Sequence, residues 1–268
     1  MNNVGFALLL TLFAGLSTGI GSLIALFAKR TNTRFLSVSL GFSAGVMIYV
    51  SMIEIFAKAR ESLSAVYGAK LGYVAAVLSF FGGMILIALI DKLIPSGENP
   101  HEAKSVEAMH GDGVVKNSSK LMRTGVFMAL AVGIHNFPEG LATFVSALTQ
   151  PSLAIPVAVA IAIHNIPEGI VVSVPVYYAT GDRRKAFVYS FLSGLSEPIG
   201  ALVGYLILLP IMSPAVFGIV FGAVAGIMVF ISVDELLPAA REYGEHHLSI
   251  WGMIVGMGVM ATSLLLFA

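Results

Sequence analysis

Residues 129–174 read ALAVGIHNFPEGLATFVSALTQPSLAIPVAVAIAIHNIPEGIVVSV and contain the same six-residue phrase twice. The first copy, HNFPEG, occupies 135–140, and the second, HNIPEG, occupies 164–169. The flanking residues are mostly Ala, Val, Ile, Leu and Gly, so both copies are predicted to lie within membrane-spanning helices. Polar side chains are costly in hydrocarbon and usually line a site or a pathway there. The segment therefore predicts an all-α membrane protein with a functional site inside the bilayer.

The composition supports the membrane class. Hydrophobic residues make up 57% of the 268 residues, charged residues only 11%, and the mean hydropathy is +0.91. The formal net charge of zero provides no basic surface for nucleic acid. The chain has no cysteine, which leaves nitrogen and oxygen ligands for any metal. The start at Met1 has no positive region, so a cleaved signal peptide is not expected.

Eight segments are long and apolar enough to span a bilayer, since a span needs about 20 residues. They are 4–28, 34–57, 70–94, 122–149, 152–178, 186–209, 214–238 and 247–267. The connections are short except for 95–120, which is polar and predicted to be a flexible loop. Glycines four residues apart, such as Gly41 with Gly45 and Gly252 with Gly256, predict close packing between helices.

The distribution of Lys and Arg predicts the orientation. Of the fifteen Lys and Arg residues, one set of alternate loops holds only Lys58, Arg60 and Lys70. Because cytoplasmic loops are enriched in Lys and Arg, the other set is assigned to the cytoplasm. The whole chain is then one transmembrane domain, with both termini outside and the loop 95–120 inside.

Each phrase places a histidine and a glutamate one helical turn apart on the same face. The pairs are His135 with Glu139 and His164 with Glu168. No Lys or Arg is expected deep in any span, and a lone buried carboxylate would normally take up a proton. Imidazoles and carboxylates without a protein cation predict a divalent metal ion. His135, Glu139, His164 and Glu168 are its predicted ligands, with one ion or two left open.

The other residues of the phrases fit such a site. Pro138 and Pro167 are expected to bend spans four and five and to disturb backbone carbonyls there. Gly140 and Gly169 leave room for a close neighbour. Kinked spans near mid-membrane are common ion sites in transporters.

Further polar residues in the spans form a second set of candidates. Asn136 and Asn165 are expected to bind a second ion or to support the ligands. Glu197, which precedes Pro198, is expected to be a further ligand. Glu54 is either a residue of the outer entrance or an interfacial residue, and Asp234 and Glu235 are either at the exit or at a solvated helix end.

Three functions are compatible with this pattern. The favoured one is metal transport, because the polar residues extend from the outer to the inner ends of the spans. The alternative is an intramembrane metal-dependent hydrolase, although His-Glu-x-x-His is absent from the sequence. A proton-coupled carrier of organic solutes would leave the repeated His and Asn unexplained. The sequence contains no phosphate-binding loop, so ATP hydrolysis is not expected to drive transport.

The two phrases, the eight spans and the cytoplasmic loop resemble the ZIP metal transporters, most closely a bacterial branch of that family. The resemblance extends over essentially the whole chain. It implies uptake of zinc, and often of Fe²⁺, Mn²⁺, Co²⁺ or Cd²⁺, across the cytoplasmic (inner) membrane. It also implies homodimers and an elevator-like movement of one helix group against another.

The resemblance further implies a metal centre on spans four, five and six. Its residues would be His135, Asn136, Glu139, His164, Asn165, Glu168 and Glu197. Glu54 matches a span-two glutamate of the bacterial branch. The loop 95–120 lacks the long histidine run of many relatives, so a metal sensor in this loop is not expected.

Overall fold

The structure, a computed structural model, describes residues 2–27, 33–93, 118–149, 151–243 and 246–267. Within these ranges the secondary structure is helical. The α-helices are α1 (Asn2–Phe27), α2 (Thr33–Tyr49), α3 (Phe56–Tyr67), α4 (Ala69–Leu93), α5 (Ser118–Thr149), α6 (Pro151–Thr180), α7 (Arg183–Gly194), α8 (Ser196–Val203), α9 (Pro214–Ile231), α10 (Leu237–Tyr243) and α11 (His246–Phe267).

Three π-helical segments join some of these helices end to end. Val50–Ile55 connects α2 with α3, Gly204–Leu208 follows α8 before a 3₁₀ turn at Leu209–Ile211, and Ser232–Leu236 connects α9 with α10. A π-helical turn contains an extra residue and often occurs at functional sites. The first segment contains Glu54, and the third contains Asp234 and Glu235.

Short-range polar contacts define where several helices begin and end. The Asp182 carboxylate accepts hydrogen bonds from the backbone N–H groups of Arg184 (2.9 Å) and Lys185 (3.2 Å) at the start of α7. The Ser213 hydroxyl oxygen caps α9 by accepting from the backbone N–H of Val216. Gly68, with φ of 80°, ends α3 and allows the chain to reverse into α4.

Seven helical segments of the described residues have the length and apolar composition to cross a membrane. They are Val4–Phe27, Ser37–Tyr67, Ala69–Ile90, Val157–Val174, Arg183–Ile207, Pro214–Arg241 and His247–Leu266. The predicted fourth span, 122–149, coincides with α5, which is not among the seven. Large apolar side chains such as Leu9, Leu78 and Leu265 are exposed on these helices, as expected for a lipid-facing surface.

The helices pack as two groups. The first group comprises α1, α5, α6, α7 and α8, and the second comprises α2, α3, α4, α9 and α11. Contacts between the groups run mainly through α2 with α6 and α5 with α9. The phrase-bearing helices α5 and α6 lie side by side in the first group.

Glycines bring helix backbones together inside each group. A Cβ added to Gly45 of α2 would collide with the Met253 carbonyl of α11, and one added to Gly21 of α1 would collide with the Ile166 carbonyl of α6. Among the described glycines, every collision of this kind joins helices of the same group. The predicted close packing is confirmed, and contact between the groups depends on side chains instead.

The helix boundaries differ from the predicted spans in places. Residues 95–117 of the predicted loop lie outside the described residues, and 118–120 begin α5. The helical chain that starts at Thr33 continues to Tyr67, ten residues beyond the predicted end at 57, because Ala59 and Leu63 are buried one turn apart. The prolines expected to bend spans four and five do not break α5 or α6, which are helical through Pro138 and Pro167.

Candidate metal centre

The two phrases lie in the middle of adjacent helices, and a third helix completes the cluster. α5 carries the first phrase, α6 carries the second, and α8 begins beside α5 with Glu197 in its first turn. A Cβ at Gly140 would collide with the carbonyl of Glu197, and one at Gly169 would collide with the carbonyl of Thr18. The expectation that the glycine after each glutamate admits a close neighbour is therefore confirmed.

His164 joins the two phrases. Its Nε2 atom lies 3.0 Å from Oε2 of Glu139 on the neighbouring helix and 3.8 Å from Oε1 of Glu168 one turn along its own helix. All three side chains are buried. The Nε2–H group can donate to the Glu139 carboxylate, so the structure brings together three of the four residues predicted from the phrase spacing.

Asn165 connects α6 to α1 and α8. Its Nδ2 group donates to the backbone carbonyl of Ala14 (2.9 Å) and to Oε1 of Glu197. Both amide protons are then used, while the amide oxygen Oδ1 is buried and has no hydrogen-bond partner in the ranges that the structure describes. This arrangement fixes an uncharged oxygen donor next to the carboxylates.

Buried carboxylate oxygens add to the unsatisfied acceptors. Oε1 of Glu139 and Oε2 of Glu197 are both inaccessible, and neither has a hydrogen-bond partner within the described part of the chain. Glu197 is also within electrostatic reach of Glu139 and Glu168. Buried acceptors without donors are costly, and a cation among them would satisfy them. The donor set of imidazole and oxygen atoms fits a transition-metal ion such as Zn²⁺.

The described side chains do not yet form a complete coordination shell. No group of three or more His, Asp or Glu residues among them has the geometry to hold a metal ion. The His164–Glu139 separation of 3.0 Å is a hydrogen bond, whereas zinc lies about 2.0–2.2 Å from its nitrogen and oxygen ligands. An ion would have to enter between these two groups and replace their bond.

The remaining predicted ligands are only partly described. His135 lies on α5, but its side chain is outside the described residues. Asn136, the next residue in the sequence, is fully buried. The ligand assignment of all seven residues therefore stays a prediction.

Glu54 has a cationic partner on the next helical turn. Lys58 forms an ion pair with Glu54. The Lys58 side chain is 14% exposed and the Glu54 side chain is 17% exposed. Lys58 lies within the candidate span Ser37–Tyr67, one residue beyond the predicted end of span two at 57, because the helix extends further than predicted. The i,i+4 spacing of Glu54 and Lys58 could have revealed the pair, had the helix been extended past 57.

The acidic residues Asp234 and Glu235 lie outside α5, α6 and α8, the helices that carry the cluster. Asp234 is exposed and Glu235 is half-buried, both in the third π-helical segment. The helical chain continues beyond them to Tyr243, so they do not stand at a helix end. Sequence reasoning also missed Ala14, since a backbone carbonyl leaves no signal in the sequence.

Comparison with known proteins gives consistent matches. A sequence profile of the family described as ZIP Zinc transporter matches residues 95–264. The zinc transporter ZupT of Clostridium perfringens is 64% identical over 279 residues, covering 100% of this chain and 98% of the relative. ZupT of Chlorobium chlorochromatii is 64% identical over 266 residues, covering 99% of both chains. ZupT of Oceanobacillus iheyensis is 62% identical over 268 residues and covers 100% of both.

Proposed function

The chain belongs to the ZIP family of zinc transporters, and on that premise we propose that zinc passes through the cluster around His164 on its way into the cytoplasm. The protein is a multi-pass transporter of the cytoplasmic membrane that takes up zinc. It is not an enzyme, which excludes the hydrolase alternative. A carrier of organic solutes is excluded because the family transports zinc.

The proposed metal centre consists of His135, Asn136, Glu139, His164, Asn165, Glu168 and Glu197. The observation that carries this proposal is a set of buried oxygen atoms on three helices that have no hydrogen-bond partner among the described residues: Oε1 of Glu139, Oδ1 of Asn165 and Oε2 of Glu197. Two contacts link these residues in pairs: His164 with Glu139, and Asn165, the next residue in the sequence, with Glu197. The same nitrogen and oxygen donors also suit Fe²⁺, Mn²⁺, Co²⁺ and Cd²⁺ as additional substrates.

Zinc would first have to separate His164 from Glu139. The ion offers two positive charges to a cluster of three glutamates, whereas the hydrogen bond satisfies only one oxygen of Glu139. A membrane potential that is negative inside favours inward movement of a divalent ion by about 4.6 kcal/mol per 100 mV. This driving force makes ATP hydrolysis unnecessary.

The chain is proposed to cross the membrane eight times, with both termini and the α3–α4 turn outside. Glu54 then stands on the outer side of the cluster, where zinc would compete with Lys58 for its carboxylate. Asp234 and Glu235 stand on the inner side, and the exposed Asp234 carboxylate can receive the departing ion.

Two packed helix groups support a carrier mechanism. The cluster residues all belong to α5, α6 and α8 of the first group, and glycine-mediated backbone contacts hold that group together. The first group can therefore move as a unit against the second and carry the ion with it. A homodimer anchored by the second group is part of this proposal.

Reconstituted vesicles test the proposal. Purified protein in vesicles loaded with a zinc-sensitive dye should admit zinc, and Glu139→Ala and Glu168→Ala should each abolish this influx. Glu61→Ala is the matched control, because Glu61 is an exposed acid of α3 outside the cluster. Normal influx in both cluster variants would refute the metal centre, even though the chain would remain a zinc transporter.

A further inference from the structure

A cavity of about 720 Å³ opens sideways between the two helix groups. α5 and α7 of the first group form one wall, and α4 and α9 of the second group form the other. It lies in the half of the bundle that contains the end of α4 and the start of α7. The apolar lining side chains that matter here are Leu86, Ile90, Leu130, Ile134, Leu192 and Ile227.

The lining of the cavity offers few hydrogen-bonding groups to water. Of its described lining residues, Tyr189, Ser193 and Ser196 carry hydroxyl groups. The Ser193 hydroxyl donates to the Ser190 carbonyl (2.7 Å), and that of Ser196 donates to the Ser193 carbonyl (2.6 Å). Buried water requires two to four polar partners, so these walls favour an apolar occupant. The volume falls within the range of about 300–1,000 Å³ that small-molecule sites have.

The mouth of the cavity is continuous with the lipid-facing surface. Leu86, Leu130 and Leu192 line the cavity and are also 52%, 50% and 57% exposed. Leu86 lies within the candidate span Ala69–Ile90, so the mouth is expected to face the hydrocarbon of the bilayer. Lipid acyl chains, which surround this surface in the bilayer, therefore have direct access to the cavity.

The start of α7 supplies a partner for a polar headgroup. Lys185 is exposed and lies one turn before Tyr189 on the same face of α7. The Tyr189 side chain thus lies between the apolar cavity and a cationic group, an arrangement that suits an amphipathic ligand. The ligand would place its acyl chain between the helices and its phosphate at the helix start.

We propose that this cavity is a binding site for one acyl chain of a bilayer phospholipid, with the phosphate held near Lys185. The bound acyl chain contacts both helix groups and reaches Phe137 and Pro138 of the first phrase. A movement of one group against the other changes the width of the cavity, so the lipid has to shift with each such movement. The site is distinct from the zinc cluster and does not depend on its assignment.

Gly133 is a lining position at which an added Cβ has room, so a larger side chain can be introduced there to fill the cavity. A Cβ at Gly133 would meet only the Ser193 Cα atom within 4 Å, at 3.9 Å, so Gly133→Phe projects a ring into the cavity. The matched control is Gly82→Phe, because a Cβ at Gly82 meets nothing within 4 Å and the residue is not part of the cavity. Gly133→Leu serves as a smaller filling variant if the phenylalanine variant does not fold.

The test uses phosphatidylethanolamine vesicles that contain phosphatidylglycerol with a diazirine in one acyl chain. After illumination, mass spectrometry should find labelled residues at 129–138 and 189–196 of the full-length protein. Gly133→Phe should lower this labelling about tenfold relative to the exposed Leu78 on α4, as expected for the loss of about two buried methylene groups. Gly82→Phe should leave it unchanged, and Lys185→Gln should lower it.

Several results would overturn the proposal. One is equal labelling of the cavity and of the surface around Leu78, and another is labelling that Gly133→Phe leaves unchanged. Labelling of the cavity by a water-soluble diazirine would show that water fills it. Cross-linking of Leu192 to a second copy of the chain would show that a protein partner covers it.

Discussion

Gly140→Ala should uncouple Glu197 from the rest of the cluster without unfolding the protein. The added Cβ would lie 2.0 Å from the Glu197 carbonyl oxygen, so α5 and α8 must separate by about 1.4 Å to reach the 3.4 Å of an ordinary contact. Overpacking of this kind costs about 1–3 kcal/mol of stability. Metal ligands, in contrast, tolerate displacements of only about 0.2 Å. The expected result is a zinc influx rate about 10–100-fold lower, the range found for misplaced supporting groups.

The assay is the initial rate of zinc influx into dye-loaded vesicles, normalised to folded protein. Two variants serve as controls. Gly82→Ala adds a methyl group where no atom lies within 4 Å, and Gly226→Ala produces a similar collision with the Phe80 carbonyl inside the second helix group. Gly82→Ala should leave influx unchanged, and Gly226→Ala should lower the melting temperature with a smaller effect on influx. A rate in Gly140→Ala equal to that in Gly226→Ala would refute the reasoning.

Three further predictions concern single side chains. Asn165→Ala removes the donor to Glu197 and a neutral oxygen, so equilibrium zinc binding in detergent should weaken about tenfold; unchanged binding would exclude this amide from the site. Lys58→Met removes the cation that pairs with Glu54, so the KM for zinc influx should fall while the maximal rate is retained, and an unchanged KM would place Glu54 off the route. Asp182→Ala removes the cap of α7 and should lower the free energy of unfolding by about 0.5–2 kcal/mol without changing the KM, as measured by chemical denaturation.

The central pair of helices could be predicted from the sequence because both phrases have the same four-residue spacing between histidine and glutamate. A histidine and a glutamate four residues apart on a helix share one face. Because polar side chains are costly in hydrocarbon, two such helices are expected to pack with these faces together. The contact between His164 and Glu139 follows from this pattern. Its angle and distance do not, since they depend on how α5 and α6 pack.

Two features could not be predicted in the same way. The carbonyl of Ala14 orients Asn165, but any residue on α1 could have supplied that carbonyl, and only the packing of α1 against α6 selects it. Lys58 was assigned to a loop because the apolar run ends near 57. The helix continues there because it packs between α4 and α9 outside the most apolar part of the span, where charged residues are tolerated.

The π-helical segment Val50–Ile55 allows one continuous helix to satisfy two sets of neighbours. α2 packs against α11, and α3 packs against α4 and α9. The extra residue sets the angular offset between these two faces, since each residue advances an α-helix by about 100°. Deleting one residue here would keep the hydrophobicity almost intact but would rotate everything beyond it, turning Ala59 and Leu63 away from their partners. The chain is thus far more sensitive to a change in length at this position than to a change in side chain.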